Sequence, residues 1–409
     1  MESRQQVDVL VVGLGPAGGS AALAAAQAGL RVAAVERKKE IGMPVQCAEF
    51  IPLPLARHAQ AEGVLQQHIQ GMNSHLPSGH VDKSVSPGLM VDRAAFDQAL
   101  ARQAEQSGAR LHLNSRLIEL DGANSAAVVA TPQGRIRFDY RVLVAADGPY
   151  SFVARSLGLP RLDVVHARQC TVPLLEADKL SPSPQLSPTR GEGDSLPLAY
   201  DSARASGRSG SESSCGDGGG LGRGGRLKAT CTEIWLSPEY SGGYAWLFPR
   251  GGVANLGLGV DKRFAANPKA LLDVLHRRLV SEGWVGETIL RRTGGAIPVG
   301  GLRSSLVEGN VLFVGDAAGL THPITGAGIA AAVASGERAG QAAAAWLLQQ
   351  DGDALAAFEE DIRDQFGASL KRAAARRAWL GQYWGTPAAG EDRIHRRGWV
   401  AFPEYFDEG

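Results

Sequence analysis

Three glycines near the start of the chain have the spacing of a phosphate-binding turn. Gly13, Gly15 and Gly18 follow the apolar run VDVLVVG and open a segment rich in small residues. In this pattern the first glycine allows a tight turn, the second lets backbone approach a pyrophosphate, and the third lets helix and strand pack closely. The start of the following helix presents free N–H groups and a positive dipole end to the phosphates. The spacing therefore predicts a dinucleotide site.

An acidic residue in the expected place strengthens this prediction. Glu36 ends the next short apolar run, RVAAVE, where a carboxylate can accept hydrogen bonds from ribose hydroxyls. The strand, helix and strand over residues 7–36 form the β-α-β unit that must position both features. The motif alone does not distinguish NAD from FAD.

Two later segments resemble the DG and GD motifs of the FAD-dependent, glutathione-reductase-like superfamily, in its hydroxylase branch. They are VLVAADGPYSFVAR and NVLFVGDAAGLTHPITGAGI. The resemblance implies that Asp316 binds the ribitol or ribose portion of FAD and that Asp147 and Gly148 lie beside the pyrophosphate. Arg93 matches a family arginine that borders the cofactor. The same resemblance extends the predicted FAD site to Pro16, Ala17, Arg37, Cys47, Ala48, Gly315, Pro323, Gly326, Gly328 and Ile329.

The glycines before the last long helix suit a reduced flavin. Gly326 and Gly328 allow close backbone approach where that helix begins, and its positive end favours the anion of the reduced flavin. The chain has no CxxC pair, so disulfide chemistry of the glutathione reductase kind is not expected. No metal site is expected.

Two more segments are similar to geranylgeranyl reductases. GMPVQCAE at 42–49 matches the PVxC-type segment of that family, and GYAWLFP at 243–249 matches its YxWxFP motif. The resemblance implies an FAD-dependent oxidoreductase that reduces isolated C=C bonds of a polyprenyl lipid or other isoprenoid by hydride transfer. It leaves NADPH, NADH and ferredoxin open as the electron donor.

The residue types fit this chemistry. An isolated alkene is not polarised, so hydride transfer needs a proton at the other carbon and a dry, apolar site. Tyr244 and Trp246 alternate with Phe248 along a strand and share one face, which could form an apolar wall. Cys47 and His322 are candidate proton carriers. A buried small hydrophobe for Cys47, sheet core for the aromatic residues and a structural histidine remain open as alternatives.

Other enzyme classes share this fold and stay open. An FAD-dependent monooxygenase or halogenase is one alternative, although the halogenase motif WxWxIP matches Tyr244 and Phe248 less well. A lycopene-cyclase-like isomerase that uses reduced flavin without net redox is another. A binding module without turnover is the least favoured.

These residues must be positioned by two domains. We expect an α/β chain with a Rossmann-like FAD domain over 1–165 and 290–348, built on a parallel sheet with an antiparallel meander. Part of 40–95 contributes to the substrate side. An α+β substrate domain with an antiparallel sheet covers 166–289, and a helical, basic and aromatic region covers 349–409.

One stretch inside the substrate domain has a different composition. Residues 180–226 are rich in Ser, Gly, Pro and Arg and poor in periodic apolar residues. Such a stretch cannot bury enough surface to offset its ordering entropy, so we expect a disordered insertion. We also expect that deleting 182–224 leaves flavin binding intact.

The composition indicates which binding partners and which cellular compartment to expect. The 409 residues carry 42 basic and 42 acidic side chains, and this balance argues against nucleic acid as a partner. Four cysteines and an N-terminus that runs directly into a strand favour a cytoplasmic protein. The seven cationic residues and three tryptophans within 371–399 raise peripheral membrane contact as an alternative to simple packing of a terminal helix.

Overall fold

The parallel sheet expected around the glycine motif is present, and it is built from segments that lie far apart in the sequence. The computed structural model describes residues 2–175, 230–261, 263–264 and 267–407. The stretch for which disorder is expected, 180–226, lies outside the described residues.

The secondary-structure elements of the described residues are numbered here in chain order. The strands are β1 Glu2–Val12, β2 Val32–Val35, β3 Phe50–Pro52, β4 Leu65–His75, β5 Val81–Val91, β6 Arg110–His112, β7 Arg116–Asp121, β8 Ala126–Thr131, β9 Gly134–Ala145, β10 Val164–Pro173, β11 Cys231–Trp235, β12 Tyr244–Arg250, β13 Val253–Val260, β14 Arg291–Pro298, β15 Val307–Glu308 and β16 Val311–Phe313. The helices are α1 Pro16–Gln27, α2 Arg93–Gln106, α3 Phe152–Ser156, α4 Pro268–Ser281, α5 Ile329–Leu348, α6 Ala354–Ile362, α7 Ala368–Leu380 and α8 Asp392–Gly398.

The first sheet has the strand order β15-β16-β9-β1-β2-β6, and the five strands from β16 to β6 run parallel. Strands β7, β8 and β9 form the antiparallel meander at one end. Residues Val9–Val12 of β1 are buried and lie between β9 and β2, which explains the apolar run in this half of the strand.

Helices α1 and α5 pack against each other at very short range because their contact surfaces are made of small residues. A Cβ atom added to Gly336 would lie 2.1 Å from the Ala17 carbonyl oxygen, and one added to Gly340 would lie 2.7 Å from the Ala21 carbonyl oxygen. This close crossing fixes α5 against α1, the helix that begins within the glycine motif.

The second sheet has the order β14-β10-β13-β12-β11-β4-β5-β3 and is antiparallel except where β11 meets β4. Side chains alternate between its two faces. One face packs against Leu272, Leu275 and Leu279 of α4. The opposite face carries Trp246 and turns toward the first sheet and the C-terminal helices.

The basic and aromatic C-terminal region packs on that second face. Trp399, Phe402 and Tyr405 are buried in one apolar cluster with Trp246 and Ile324. Lys371 and Arg372 of α7 remain exposed. Within the described part of the chain, no helix is both long and apolar enough to cross a membrane.

The predicted architecture is confirmed: a parallel sheet with an antiparallel meander, a second, mainly antiparallel sheet and a helical C-terminal region. Two details differ from the sequence pattern. The sequence pattern predicts separate strands around 135–139 and 141–148, whereas strand β9 runs unbroken from Gly134 to Ala145. The expected domain start at 290 falls just before β14, and this strand pairs with β10 in the second sheet.

Candidate active site

The glycine turn has the geometry that its spacing predicts. Gly13 adopts φ +99°, and a Cβ there would lie 2.4 Å from the Ala146 carbonyl oxygen. A Cβ on Gly18 would lie 1.8 Å from the Gly13 carbonyl oxygen. Around Gly15, by contrast, a Cβ would meet no atom within 4 Å. Helix α1 begins next, with Pro16 in its first turn, so the open space lies where its free N–H groups point.

Glu36 lies at the end of β2 beside this turn. Its carboxylate accepts hydrogen bonds from the Leu14 N–H at 2.9 Å and the Lys38 N–H at 3.0 Å. A carboxylate has further acceptor positions, so it can also receive a ribose hydroxyl. Arg37 is exposed and lines a cavity of about 620 Å³ together with Lys38 and Arg116.

The GD segment forms a buried corner between β16 and α5. Gly315 has φ +55°, which keeps the chain close to Ala17, and its N–H donates to Ser335 Oγ at 3.1 Å. Asp316 accepts a hydrogen bond from Thr321 Oγ1 at 2.7 Å, and burial raises the pKa of its carboxyl group. Its position fits a polar contact with a bound cofactor.

The turn before α5 faces the second sheet. Gly326 has φ +69°, and a Cβ there would lie 3.6 Å from the side chain of Ile297 in β14. Gly328 precedes Ile329, the first residue of α5. Pro323 is buried, and its carbonyl accepts a hydrogen bond from Arg377 of α7 at 3.4 Å. The helix therefore starts at the junction of the two sheets.

The DG segment supplies backbone rather than a free carboxylate. Asp147 Oδ2 accepts hydrogen bonds from the N–H groups of Phe152 at 2.6 Å and Val153 at 3.1 Å, and so it stabilises the start of α3. Burial raises the pKa of this carboxyl group. Gly148 has φ +83°, and a Cβ there would meet no atom within 4 Å. The open side of this turn is thus at Gly148.

Cys47 lies beside Arg93. Its sulfur accepts a hydrogen bond from the Glu49 N–H at 3.2 Å, and burial raises the pKa of the thiol while the nearby guanidinium opposes that shift. Arg93 is held by a two-point ion pair with Asp97, in which both N···O distances are 2.9 Å. Asp97 carries no motif signal, but its spacing of four residues from Arg93 on one helix could have revealed it.

The segment around Cys47 is fixed to the second sheet at successive residues. Thr293 donates to the Val45 carbonyl, Gln169 to the Cys47 carbonyl and Asn255 to the Ala48 carbonyl. Those three donors come from strands β14, β10 and β13. Sequence reasoning did not identify them, because only the strand order brings them together.

The aromatic residues of β12 form a continuous wall. The Tyr244 and Trp246 rings lie 5.6 Å apart, and those of Trp246 and Phe248 lie 6.5 Å apart. The Tyr244 hydroxyl donates to the Thr325 carbonyl at 2.5 Å, and its ring meets Trp399 edge to face at 4.8 Å. Burial and the neighbouring Cys47 raise the pKa of Tyr244. The wall thus connects the turn before α5 with the Cys47 segment.

His322 lies on the other side of that turn. Its Nδ1 accepts a hydrogen bond from the Thr325 N–H at 3.3 Å, and its ring lies 6.5 Å from that of Tyr405. Burial lowers the pKa of His322 to about 4. The imidazole is therefore neutral near pH 7, with its remaining proton on Nε2.

These positions fit a bound FAD. The open spaces at Gly15 and Gly148 leave room for phosphates, and Glu36 and Asp316 offer carboxylate acceptors at two further points. Cys47, Arg93 and Tyr244 cluster on the sheet side, whereas His322 faces the C-terminal region. Among the described residues, no group of His, Cys, Asp and Glu could hold a metal ion.

Family models agree with this arrangement. Residues 8–148 match the model for FAD dependent oxidoreductases, and residues 262–382 match the model for lycopene cyclase proteins. The first match covers the glycine turn, Cys47, Arg93 and the DG segment.

Individual relatives cover most of the chain. It is 31% identical to digeranylgeranylglycerophospholipid reductase 1 of Methanopyrus kandleri over 88% of each chain. A geranylgeranyl bacteriochlorophyll reductase-like protein from Thermoplasma acidophilum has a similar structure, with a TM-score of 0.76 over 98% of this chain and 93% of that one, at 23% identity. The p-nitrophenol 4-monooxygenase of Pseudomonas putida shares the fold at a TM-score of 0.67 and 16% identity, over 98% of this chain and 95% of that one. The chain therefore belongs to the digeranylgeranylglycerophospholipid reductase family of FAD-dependent oxidoreductases.

Proposed function

We propose that this protein reduces isolated C=C bonds in a polyprenyl lipid of the digeranylgeranyl glycerolipid class. The observation that supports this most directly is the aromatic wall of Tyr244, Trp246 and Phe248, which joins the Cys47 segment on one side and the turn before α5 on the other. The relatives named for this activity cover nearly the whole chain.

The residues of the first sheet would hold FAD. Gly13, Gly15 and Gly18 would receive the pyrophosphate with the first turn of α1, Glu36 would receive the adenosine ribose, and Asp316 would receive the ribityl part. When bound and reduced, FAD would supply a hydride to one carbon of the alkene. The start of α5 at Ile329 has a positive dipole end, which would stabilise negative charge on a reduced cofactor bound there.

We propose that Cys47 delivers the proton that the other alkene carbon needs. Burial raises the pKa of its thiol, so the group keeps its proton at neutral pH. The Arg93 guanidinium beside it stabilises the thiolate left after transfer. The Tyr244 proton is engaged with the Thr325 carbonyl, and the neutral His322 faces Tyr405, so both are weaker candidates.

The side chains around the wall are apolar, and we propose that they keep water away from the alkene. The wall belongs to an apolar cluster that includes Ile234, Ile324 and Trp399. Such a surface accepts a long hydrocarbon chain. A nicotinamide or a ferredoxin is our proposed electron donor. We further propose that the exposed Lys371 and Arg372 bring the protein to an anionic membrane surface, where its lipid substrate resides.

An anaerobic half-reaction tests the proposed activity. The holoprotein is reduced with dithionite, a geranylgeranyl glycerolipid is added, and flavin reoxidation is followed by absorbance and the lipid by mass spectrometry. We expect reoxidation together with a gain of two hydrogens per double bond. The saturated phytanyl lipid is the matched control and should leave the flavin reduced. An oxygenated product that forms only after air is admitted would contradict the proposal and favour a monooxygenase.

The lycopene cyclase match supports one second candidate, a flavin-dependent cyclase or isomerase. Such an enzyme also protonates an alkene, so the Cys47 geometry would serve it. The same experiment separates the two, because a cyclase would leave the flavin reduced and give a product of unchanged mass.

A further inference from the structure

One buried amide joins the aromatic wall to the Cys47 segment. Gln169 lies in β10, on the face of the second sheet that carries Trp246, and only 3% of it is exposed. Trp246 Nε1 donates to Gln169 Oε1 at 3.2 Å, and Gln169 Nε2 donates to the Cys47 carbonyl at 3.0 Å. No motif in the sequence points to this residue.

The chemistry of the two partners fixes the orientation of the amide. An indole N–H is only a donor, so it must meet the oxygen of Gln169. A peptide carbonyl is only an acceptor, so it must meet the amide nitrogen. Rotating the amide by half a turn would lose both hydrogen bonds and leave buried polar groups unpaired, which is costly.

The neighbouring donors hold the chain on either side of Cys47. Thr293 holds the Val45 carbonyl, and Asn255 holds the Ala48 carbonyl and the Glu49 carboxylate. These donors fix the carbonyls on either side, and Gln169 holds the Cys47 carbonyl between them. Gln169 differs from these donors because it also contacts the wall.

We propose that Gln169 is a positioning residue for alkene reduction. It holds the Cys47 peptide so that the thiol stays beside Arg93, and it pairs the Trp246 indole N–H so that the wall presents no free donor to the hydrocarbon. The catalytic role of Gln169 rests on the proposed function. The arrangement of Gln169, Trp246 and Cys47 does not depend on which alkene is bound.

Two substitutions separate hydrogen bonding from packing. Gln169→Met keeps the side-chain length but has no amide, so it should lower kcat about 10- to 100-fold with little change in KM and an unchanged flavin spectrum. Gln169→Glu accepts from Trp246, but its ionised form cannot donate to the Cys47 carbonyl. Its protonated form can do both, so its kcat relative to wild type should rise as the pH falls from 8 to 5.5. The kcat of Gln169→Met relative to wild type should stay constant over that range.

A second readout needs no substrate. The rate at which iodoacetamide alkylates Cys47, measured on the Cys47 peptide by mass spectrometry, should change severalfold in Gln169→Met. It should stay at the wild-type value in Thr232→Val, which alters a buried residue on the same face whose hydroxyl donates to the Gly71 carbonyl. If Gln169→Met does not fold, Trp246→Phe removes the indole N–H together with part of the ring and should also change the alkylation rate.

The inference is overturned if Gln169→Met and Trp246→Phe both alkylate like the wild type. It is also overturned if the relative kcat of Gln169→Glu shows no recovery at low pH. A wild-type holoprotein that reduces no alkene would instead refute the proposed function, and the alkylation result would still decide whether Gln169 positions Cys47.

Discussion

At the scale of single residues, the proposed site centres on a half-buried thiol beside a cation. Burial keeps the proton on Cys47, while Arg93, itself anchored by Asp97, lowers the cost of releasing it. These opposing effects suit a group that must hold a proton at rest and give it up once per turnover.

This electrostatic arrangement predicts the result of removing the thiol. Cys47→Ala should reduce turnover about 100- to 10,000-fold, the usual contribution of a positioned proton donor, and leave the flavin absorption spectrum unchanged. Cys170→Ala is the matched control, because that thiol is buried in the core on the α4 face of the sheet. Steady-state kinetics of both variants provide the measurement. Full turnover in Cys47→Ala would exclude the thiol from the mechanism.

His322 predicts a dependence of stability on pH. Its pKa falls from 6.5 to about 4 on folding because burial disfavours the charged form. The stability it contributes is thus fully present above pH 6.5 and is lost as the pH falls toward 4. Between pH 6.5 and 4, the unfolding free energy of His322→Gln should therefore fall less than that of the wild type. The difference between the two losses should be about 1–2 kcal/mol at pH 5.

Urea unfolding at pH 7.5, 6 and 5 checks this prediction. His68→Gln, which alters an exposed histidine, is the control and should follow the wild-type curve. A wild-type pH dependence that His322→Gln leaves intact would assign the acid sensitivity to other groups.

At the scale of elements, the sequence predicts what is local and misses what depends on strand order. The glycine turn and Glu36 follow from a β-α-β unit of thirty residues, and the alternation of β12 places Tyr244 and Trp246 on one face. Gln169 and Asn255 reach the site only because β10 and β13 pair in one register. No spacing within either strand indicates that register.

The ends of the strands are also poorly predicted by the local sequence. Phe138, Asp139 and Tyr140 continue the alternation of burial within β9, so nothing interrupts a strand that the sequence suggests as two. Strand β14 contains two glycines, and a glycine-rich strand carries a weak apolar pattern.

The crossing of α1 and α5 predicts a severe effect of one methyl group. Gly336→Ala would place its Cβ about 2 Å from the Ala17 carbonyl oxygen, so the helices must separate. We expect a loss of about 1–3 kcal/mol in unfolding free energy together with weaker FAD retention, because α1 begins at the phosphate turn. Gly367→Ala is the control, since a Cβ there would meet no atom within 4 Å. Unfolding by urea and flavin release on dilution measure both effects, and equal stability of the two variants would contradict the close packing.

At the scale of the whole molecule, one carboxylate links the second sheet to helix α2, which packs against α1. Glu49 is fully buried, and it accepts hydrogen bonds from Arg250 and Asn255 of the second sheet and from the Arg93 N–H at the start of α2. It also adopts φ 72°, a conformation that few residues other than glycine tolerate. The Cys47 segment is therefore held at its end by a charged contact between the second sheet and α2.

Neutralising this contact should destabilise the entire chain. Arg250 pairs with two carboxylates, Glu49 and Asp92, and Glu49→Gln removes the buried one. Because the cation then loses a buried ion-pair partner, we expect a loss of about 3 kcal/mol in unfolding free energy. Glu391→Gln breaks only the exposed pair with Arg393 and should cost less than about 0.5 kcal/mol. Chemical denaturation of the two variants makes the comparison, and a Glu49→Gln protein as stable as the wild type would show that the carboxylate does not stabilise the contact between the second sheet and α2.

Neighbouring strands of the first sheet lie far apart in the sequence, and this separation has a consequence for biosynthesis. Strand β9 is complete at Ala145, but its partner β16 and the helix α5 that covers α1 follow only by Leu348. A ribosome needs about 10–40 s to add the intervening residues at 5–20 residues per second. During that interval the nascent chain carries the glycine turn and β9 without the strand and helix that complete them. FAD capture should therefore be a late event, and newly made chains should depend on chaperones until α5 has emerged.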